Sequence, residues 1–271
     1  MRDIHFEAGL LPGRAVLAVT GPEAGHFLHN LLTADIERLS EGEAAYSALL
    51  SPQGKILFDM LVRRQGDGYL IDCAAAQSLE LLKRLGFYKL RAKVEIAARD
   101  DLAVAVSPVE IPSGYQDPRT AAIGWRSMGD GAQSEAKGYD SARLALGLAE
   151  GEELASGGFF PHEANLDQLG GVSFAKGCYV GQEVVSRMEH RGLARSRILP
   201  VHTSRPDLPK GTEIRAGEKL IGTIVSSAGE TALALIRLDR LAEADAPLAA
   251  DGVAVTVLKP DWARYDVPGA A

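Results

Sequence analysis

Downstream of Arg195 the hydrophobic pattern shortens abruptly. Ile198 to His202, Glu213 to Arg215, Lys219 to Ser227, Thr231 to Leu238 and Val253 to Leu258 are short apolar-rich runs punctuated by Gly and Pro, with no long helical stretch between them. Short strands spaced this way bury their apolar faces most simply by closing on one another, which predicts a small C-terminal β-barrel over 195–265. This restricts the remaining sequence, 1–194, to a separate α+β region.

The pattern in 1–194 agrees. Arg14 to Thr20 reads as a buried strand, and Gly21-Pro22 opens a helix whose buried face carries Phe27, Leu28, Leu31 and Leu32. Ala44 to Leu50 and Lys55 to Arg63 read as a hairpin joined by Ser51-Pro52-Gln53-Gly54. Tyr69 to Cys73 is a third strand, and a helix follows over about Ala76 to Leu85. Val94 to Ala98 and Leu102 to Val106 are further strands, with a short one expected at Ala121 to Arg126. Helices are expected over Tyr139 to Leu146 and Gln182 to His190, with Gly151 to Phe160 as a loop. Strands, hairpins and helices in alternation define an α+β class.

Net charge is −7, which argues against a broad nucleic-acid footprint. The two cysteines, Cys73 and Cys178, make no disulfide framework and no zinc spacing, so a reducing compartment fits. Met1 to Leu11 has neither a long apolar run nor Arg-rich transit character. No stretch approaches the ~20 apolar residues of a membrane span. A cytoplasmic protein without membrane or nucleic-acid partners is the expectation.

Lys176-Gly177-Cys178-Tyr179-Val180-Gly181-Gln182-Glu183 concentrates unusual chemistry. Gly177 and Gly181 bracket a cysteine in a polar setting, where glycine permits special backbone angles or close ligand approach. Lys176, and Arg187 if it folds nearby, would favour the thiolate of Cys178, the form that attacks or binds metal. Cys73 lies in an apolar strand and reads as core. His26 and His29 share a helix face, but no carboxylate or Cys in the local pattern completes a metal site. Arg187, His190, Arg191, Arg195 and Arg197 form a basic cluster beside the signature, suited either to salt bridges or to an acidic ligand.

This segment resembles the KGCYxGQE signature of the YgfZ-type proteins, folate-dependent factors for iron–sulfur cluster maintenance related to the glycine-cleavage T-protein, an aminomethyltransferase. The resemblance extends to Val19-Thr20-Gly21-Pro22, to Tyr46 through Lys55 with Asp59, to Tyr88-Lys89-Leu90-Arg91 and Asp117-Pro118-Arg119, and to Phe160 through Asp167 leading into Gly171-Val172-Ser173-Phe174. It implies two α+β subdomains around a central folate channel, followed by the barrel. It also implies departures from the T-protein. Ala145 stands where the T-protein's Arg-Leu-Glu-Ala-Gly run has its pterin-binding glutamate, and the catalytic Asp has no match near Ser78-Leu79-Glu80.

The implied function is a tetrahydrofolate-binding accessory factor for iron–sulfur cluster assembly or repair. Cys178 is its working thiol and a candidate ligand to a transient cluster shared with a partner. Lys176, Gly177, Tyr179, Gly181, Gln182 and Glu183 form its motif, and Asp59, Arg143, Asn165 and Arg187 are candidate folate contacts. Implied partners are an iron–sulfur scaffold or A-type carrier and client iron–sulfur enzymes. The rival reading is a folate-dependent one-carbon transferase.

Overall fold

The computed structural model describes residues 5–129, 134–155, 158–192 and 194–270. In chain order the elements are β1 (Gly9–Leu10), β2 (Arg14–Thr20), α1 (Ala24–Leu31), β3 (Ala44–Leu50), β4 (Ile56–Gln65), β5 (Gly68–Ala74), α2 (Ser78–Lys89) and β6 (Glu95–Ala98). Then come β7 (Ala103–Ser107), β8 (Tyr115–Gln116), β9 (Trp125–Gly129), α3 (Tyr139–Ala145), α4 (Glu152–Ala155) and α5 (Gln182–Arg191). The barrel region holds β10 (Ser196–Thr203), β11 (Glu213–Ala216), β12 (Lys219–Ala228), β13 (Thr231–Arg237), α6 (Leu238–Ala242), β14 (Leu248–Ala250) and β15 (Val253–Val257).

Three sheets organise these elements. A five-stranded antiparallel sheet runs β3-β4-β5-β2-β6, and a four-stranded one runs β1-β7-β9-β8. A closed barrel follows in the order β10-β13-β12-β11-β14-β15. β3, β4 and β5 are almost wholly buried, so both faces of the central strands are covered. One face packs under α1 and α2 through Phe27, Leu28, Leu81 and Leu85. The other shares a core with the smaller sheet, α3 and the Phe159–Val172 segment. The barrel has its own core, including Leu199, Ile214, Ile224 and Val257.

The barrel expectation omitted β14, a three-residue strand between Pro247 and Asp251-Gly252, too short to leave a periodic signal. The strand expected at Ala121 to Arg126 is instead a 3₁₀ turn over Ala121–Ile123 followed by β9. The switch falls at Gly124 (φ 87°), where a Cβ would lie 2.2 Å from the Ser107 carbonyl oxygen. The segment 151–160 contains the short helix α4, placed by Arg143 pairing with Glu153.

Candidate functional site

The signature forms an irregular bridge from Gly171 into α5, and Cys178 is exposed on it. The segment is anchored on both sides. Upstream, the Thr33 hydroxyl donates to the Gly171 carbonyl (2.5 Å) and the Ser173 amide donates to the Thr33 carbonyl (2.9 Å). Downstream, Gly181 (φ 81°) starts α5, and a Cβ there would stand 2.7 Å from the Ser51 carbonyl oxygen. Only glycine satisfies both the angle and the contact with the β3–β4 turn. The same argument does not hold at Gly177, where a Cβ would meet open space.

Lys176 does not serve the thiol. Its side chain is buried and its ammonium donates to the carbonyls of His29, Leu32 (2.6 Å) and Ala34 (2.9 Å) at the C-terminal end of α1. A helix end leaves carbonyls unsatisfied and partially negative, so a cation is favoured there. Burial pulls the Lys176 amine down to about 8, opposed by Asp35 and Glu37. All three ammonium donors are used, which corrects the expectation that Lys176 activates Cys178. Arg187 is likewise engaged by Glu183 one turn away on α5 (2.5 Å), on the exposed surface. Lys176 is therefore a pin that holds the segment to α1. Tyr179 is buried beside it, its ring 5.0 Å from the ammonium, and burial raises its phenol to about 12. Gln182 begins α5, and Val185 buries the helix.

The two cysteines differ sharply. Cys73 is buried in β5 with its thiol pushed up to about 12, chiefly by burial. Alkylation of the native protein near neutral pH is expected to modify Cys178 rapidly and spare Cys73 until the protein unfolds, because reactivity follows thiolate fraction and access. Mass mapping of the modified peptides reads the result, and equal labelling of both thiols would contradict this geometry.

A second constellation went largely unread in the sequence. Arg126 on β9 donates to Asp72 (2.6 Å), Asp117 (2.9 Å), Glu150 (3.3 Å) and the Tyr139 hydroxyl. Arg119 makes a two-armed pair with Asp117 (3.0 and 2.8 Å) and reaches Glu150 (2.8 Å). Arg14 bonds Asp72 (2.6 Å), and Arg143 bonds Glu153 through two nitrogens (2.8 and 2.9 Å). Asp59 accepts from the Gly151 amide (2.7 Å). This buried network ties both sheets to α3 and α4. Four guanidiniums hold Glu150 well below the ordinary carboxylate range against the opposing effect of burial. Burial instead raises Asp59, with Arg14 opposing and Glu150 reinforcing the shift. The available sequence signal was a charge inside an apolar strand: Asp72 in Tyr69-Leu70-Ile71-Asp72-Cys73, and Arg14 heading Ala15-Val16-Leu17.

Above the network lies a cavity of about 750 Å³ lined by Arg14, Tyr139, Arg143, Glu150, Gly151 and Glu153 among others. Of the candidate folate contacts, Arg143 lines it and Asp59 lies one hydrogen bond behind its wall. Asn165 does not. Its side chain bonds the Ile198 carbonyl (2.7 Å) and accepts from the Tyr265 hydroxyl (2.7 Å), tying the α+β region to the barrel. The exposed Arg187, on α5, also lies outside it.

Two histidine clusters lie outside the cavity. His162, Asp167 and Glu189 bring one ligand atom each within 4.8 Å. Asp167 is already clasped by Arg197 (2.6 and 3.0 Å), and His162 pairs with Glu189 (2.9 Å), so the group acts as a strut between α5 and β10. His26 and His29 do gain carboxylate neighbours, Glu37 at 3.1 Å and Asp35 at 3.2 Å, supplied by the turn after α1.

The chain superposes on the glycine cleavage system aminomethyltransferase T from Bartonella henselae with a TM-score of 0.76. The match covers 98% of this chain and 88% of that one at 16% identity. Residues 195–265 match the family described as the CAF17 C-terminal beta-barrel domain. The fold class is thus a T-type aminomethyltransferase fold ending in a CAF17-type barrel. Sequence relatives narrow this further. Human iron-sulfur cluster assembly factor IBA57, mitochondrial, is 30% identical over 93% of this chain and 84% of its own length. The mouse protein of that name is 31% identical over the same shares, and the Pyricularia oryzae homologue is 30% identical over 88% of this chain and 73% of its own length. The chain belongs to the IBA57 family of iron–sulfur cluster assembly factors. These relatives are mitochondrial proteins, which overturns the cytoplasmic placement read from the sequence.

Proposed function

We propose that the protein is a folate-binding factor of the YgfZ type that assists iron–sulfur cluster assembly or repair, with the Cys178 thiol handling cluster as cargo. The observation that carries this reading is an exposed cysteine on a bridge pinned at both ends, in a chain whose relatives are iron–sulfur assembly factors. Thiolate is the preferred ligand of iron–sulfur centres, and a [2Fe–2S] unit takes four ligands. Cys73 is locked in the core, so Cys178 supplies one ligand and a partner scaffold or A-type carrier supplies the rest. Client iron–sulfur enzymes receive the product.

The cavity over the charged network is the site for tetrahydrofolate or a derivative. About 750 Å³ lies within the usual range of roughly 300–1,000 Å³ for small-molecule sites. Its carboxylates suit the N–H edge of a pterin, its apolar wall suits the aminobenzoyl ring, and Arg14 and Arg143 stand near for the glutamate tail. Ala145 removes the charged contact that a T-protein uses, and one such bond contributes ~1.5–3 kcal/mol. Binding is therefore expected to be saturable but weaker than a transferase needs. Calorimetric titration with tetrahydrofolate measures it, and absence of binding at millimolar ligand would remove folate from the account.

A further inference from the structure

A cleft of about 710 Å³, separate from the cavity over the charged network, lies at the start of α1. α1 contributes Gly25 and His26 to its lining, and the β4–β5 hairpin contributes Arg64, Asp67 and Tyr69. The helix opens without a side-chain cap. The Ala24 and Phe27 amides donate to the carbonyls of Gly21 (3.0 Å) and Glu23 (2.8 Å), whereas those of Gly25 and His26 have no hydrogen-bond partner among the described residues. Free N–H groups at a helix start carry partial positive charge and favour an anion.

Tyr69 points to the same place. The residue is only 5% exposed, and its hydroxyl has no hydrogen-bond partner among the described residues. A buried polar group normally has one. The hydroxyl lies against the first turn of α1, since a Cβ at Gly25 would stand 2.8 Å from its oxygen. Glycine here keeps the hydroxyl and the helix start open to one another. The Arg64 guanidinium stacks on the Tyr69 ring, 4.9 Å from its centroid, and donates to the Gly68 carbonyl (3.2 Å). It pairs with no carboxylate among the described residues. The acids nearby divide into used and unused. Glu23 accepts from the Lys93 amide (2.5 Å), and Glu37 pairs with His26 (3.1 Å). Asp67 lines the cleft three residues after Arg64, and the two do not pair with each other.

We infer that this cleft binds a free α-amino acid. The Gly25 and His26 amides, the Tyr69 hydroxyl and Arg64 take its carboxylate, Asp67 takes its ammonium, and Pro22 and Leu39 offer apolar surface to its side chain. A simple anion would leave Asp67 and Glu37 as repelling neighbours. A simple cation would leave the helix start and Arg64 unmet. The volume lies within the usual range of roughly 300–1,000 Å³ for small-molecule sites. The site uses neither Cys178 nor the folate cavity, so it stands apart from the proposed function.

The test is calorimetric titration of the full-length protein with each common L-α-amino acid in turn. Acetate, inorganic phosphate and methylamine, which carry one sign of charge, are titrated beside them. At least one amino acid is expected to saturate the protein at millimolar concentration or below. The one-sign controls should bind roughly tenfold more weakly, the usual worth of a lost charge-assisted hydrogen bond. Tyr69→Phe, Arg64→Gln and Asp67→Asn should each weaken the amino acid by about the same factor, with melting little changed, because none removes a buried ion pair. Tetrahydrofolate binding should be the same in these variants and the wild type, so the two sites stand or fail separately. The proposal is overturned if no amino acid binds, if any one-sign control binds as tightly, or if all three variants bind like wild type.

Discussion

Glu150→Gln is expected to destabilise the protein by about 3–5 kcal/mol, the usual cost of removing one partner from a buried ion-pair cluster. Glu150 accepts from Arg119 at 2.8 Å and Arg126 at 3.3 Å, and lies 3.6 Å from Arg143. The amide would leave three guanidiniums short of a counter-charge in a water-poor site. Melting should fall by on the order of 10 °C for a chain of this size. The pH dependence has a defined sign. The folded-state pKa of Glu150 is depressed and that of Asp117 is lowered, so their stabilisation is complete above the ordinary carboxylate range and is lost as pH falls through the folded values. Asp59, raised by burial, works in the opposite sense and gains as it protonates. Thermal melts from pH 7 to pH 3 should show the wild type losing stability in acid and Glu150→Gln losing less. A variant that melts within 2 °C of wild type (about 1 kcal/mol or less) with the same acid slope would mean the network is not what joins the sheets.

Local pattern carried much of the architecture. Arg14–Thr20 and Ala44–Leu50 occupy the expected strands because alternation and turn residues bound them on both sides. β1, β8 and β14 were illegible, since two or three residues carry no period and exist only through their partners. The site divides along the same line. The signature was legible because its residue types are chemically unusual at close spacing. The direction of Lys176 was not, because its acceptors lie more than 140 residues upstream. Asn165 looked like a ligand contact, yet its side chain meets Ile198 and Tyr265 through the tertiary fold, whereas Arg143 finds its acceptors within ten residues and lines the cavity. Glu150 drew no attention in the run Leu148-Ala149-Glu150-Gly151. Its importance comes from three arginines brought together by separate elements.

Cys178→Ala is expected to separate fold from function. The side chain is exposed, and the bridge that carries it is held by Lys176, Thr33 and Gly181 rather than by the thiol. Stability should therefore change by less than ~1 kcal/mol. Without it the chain has no accessible thiol, because Cys73 is sealed in β5, and the proposed cluster handling would be lost. Iron–sulfur enzyme activities should fall as far as they do when the protein is absent. The decisive measurement is a survey of those activities in cells lacking the protein, complemented in parallel by wild type and by Cys178→Ala at equal abundance. The account predicts full restoration by wild type and none by the variant. Full restoration by a normally folded Cys178→Ala would contradict it.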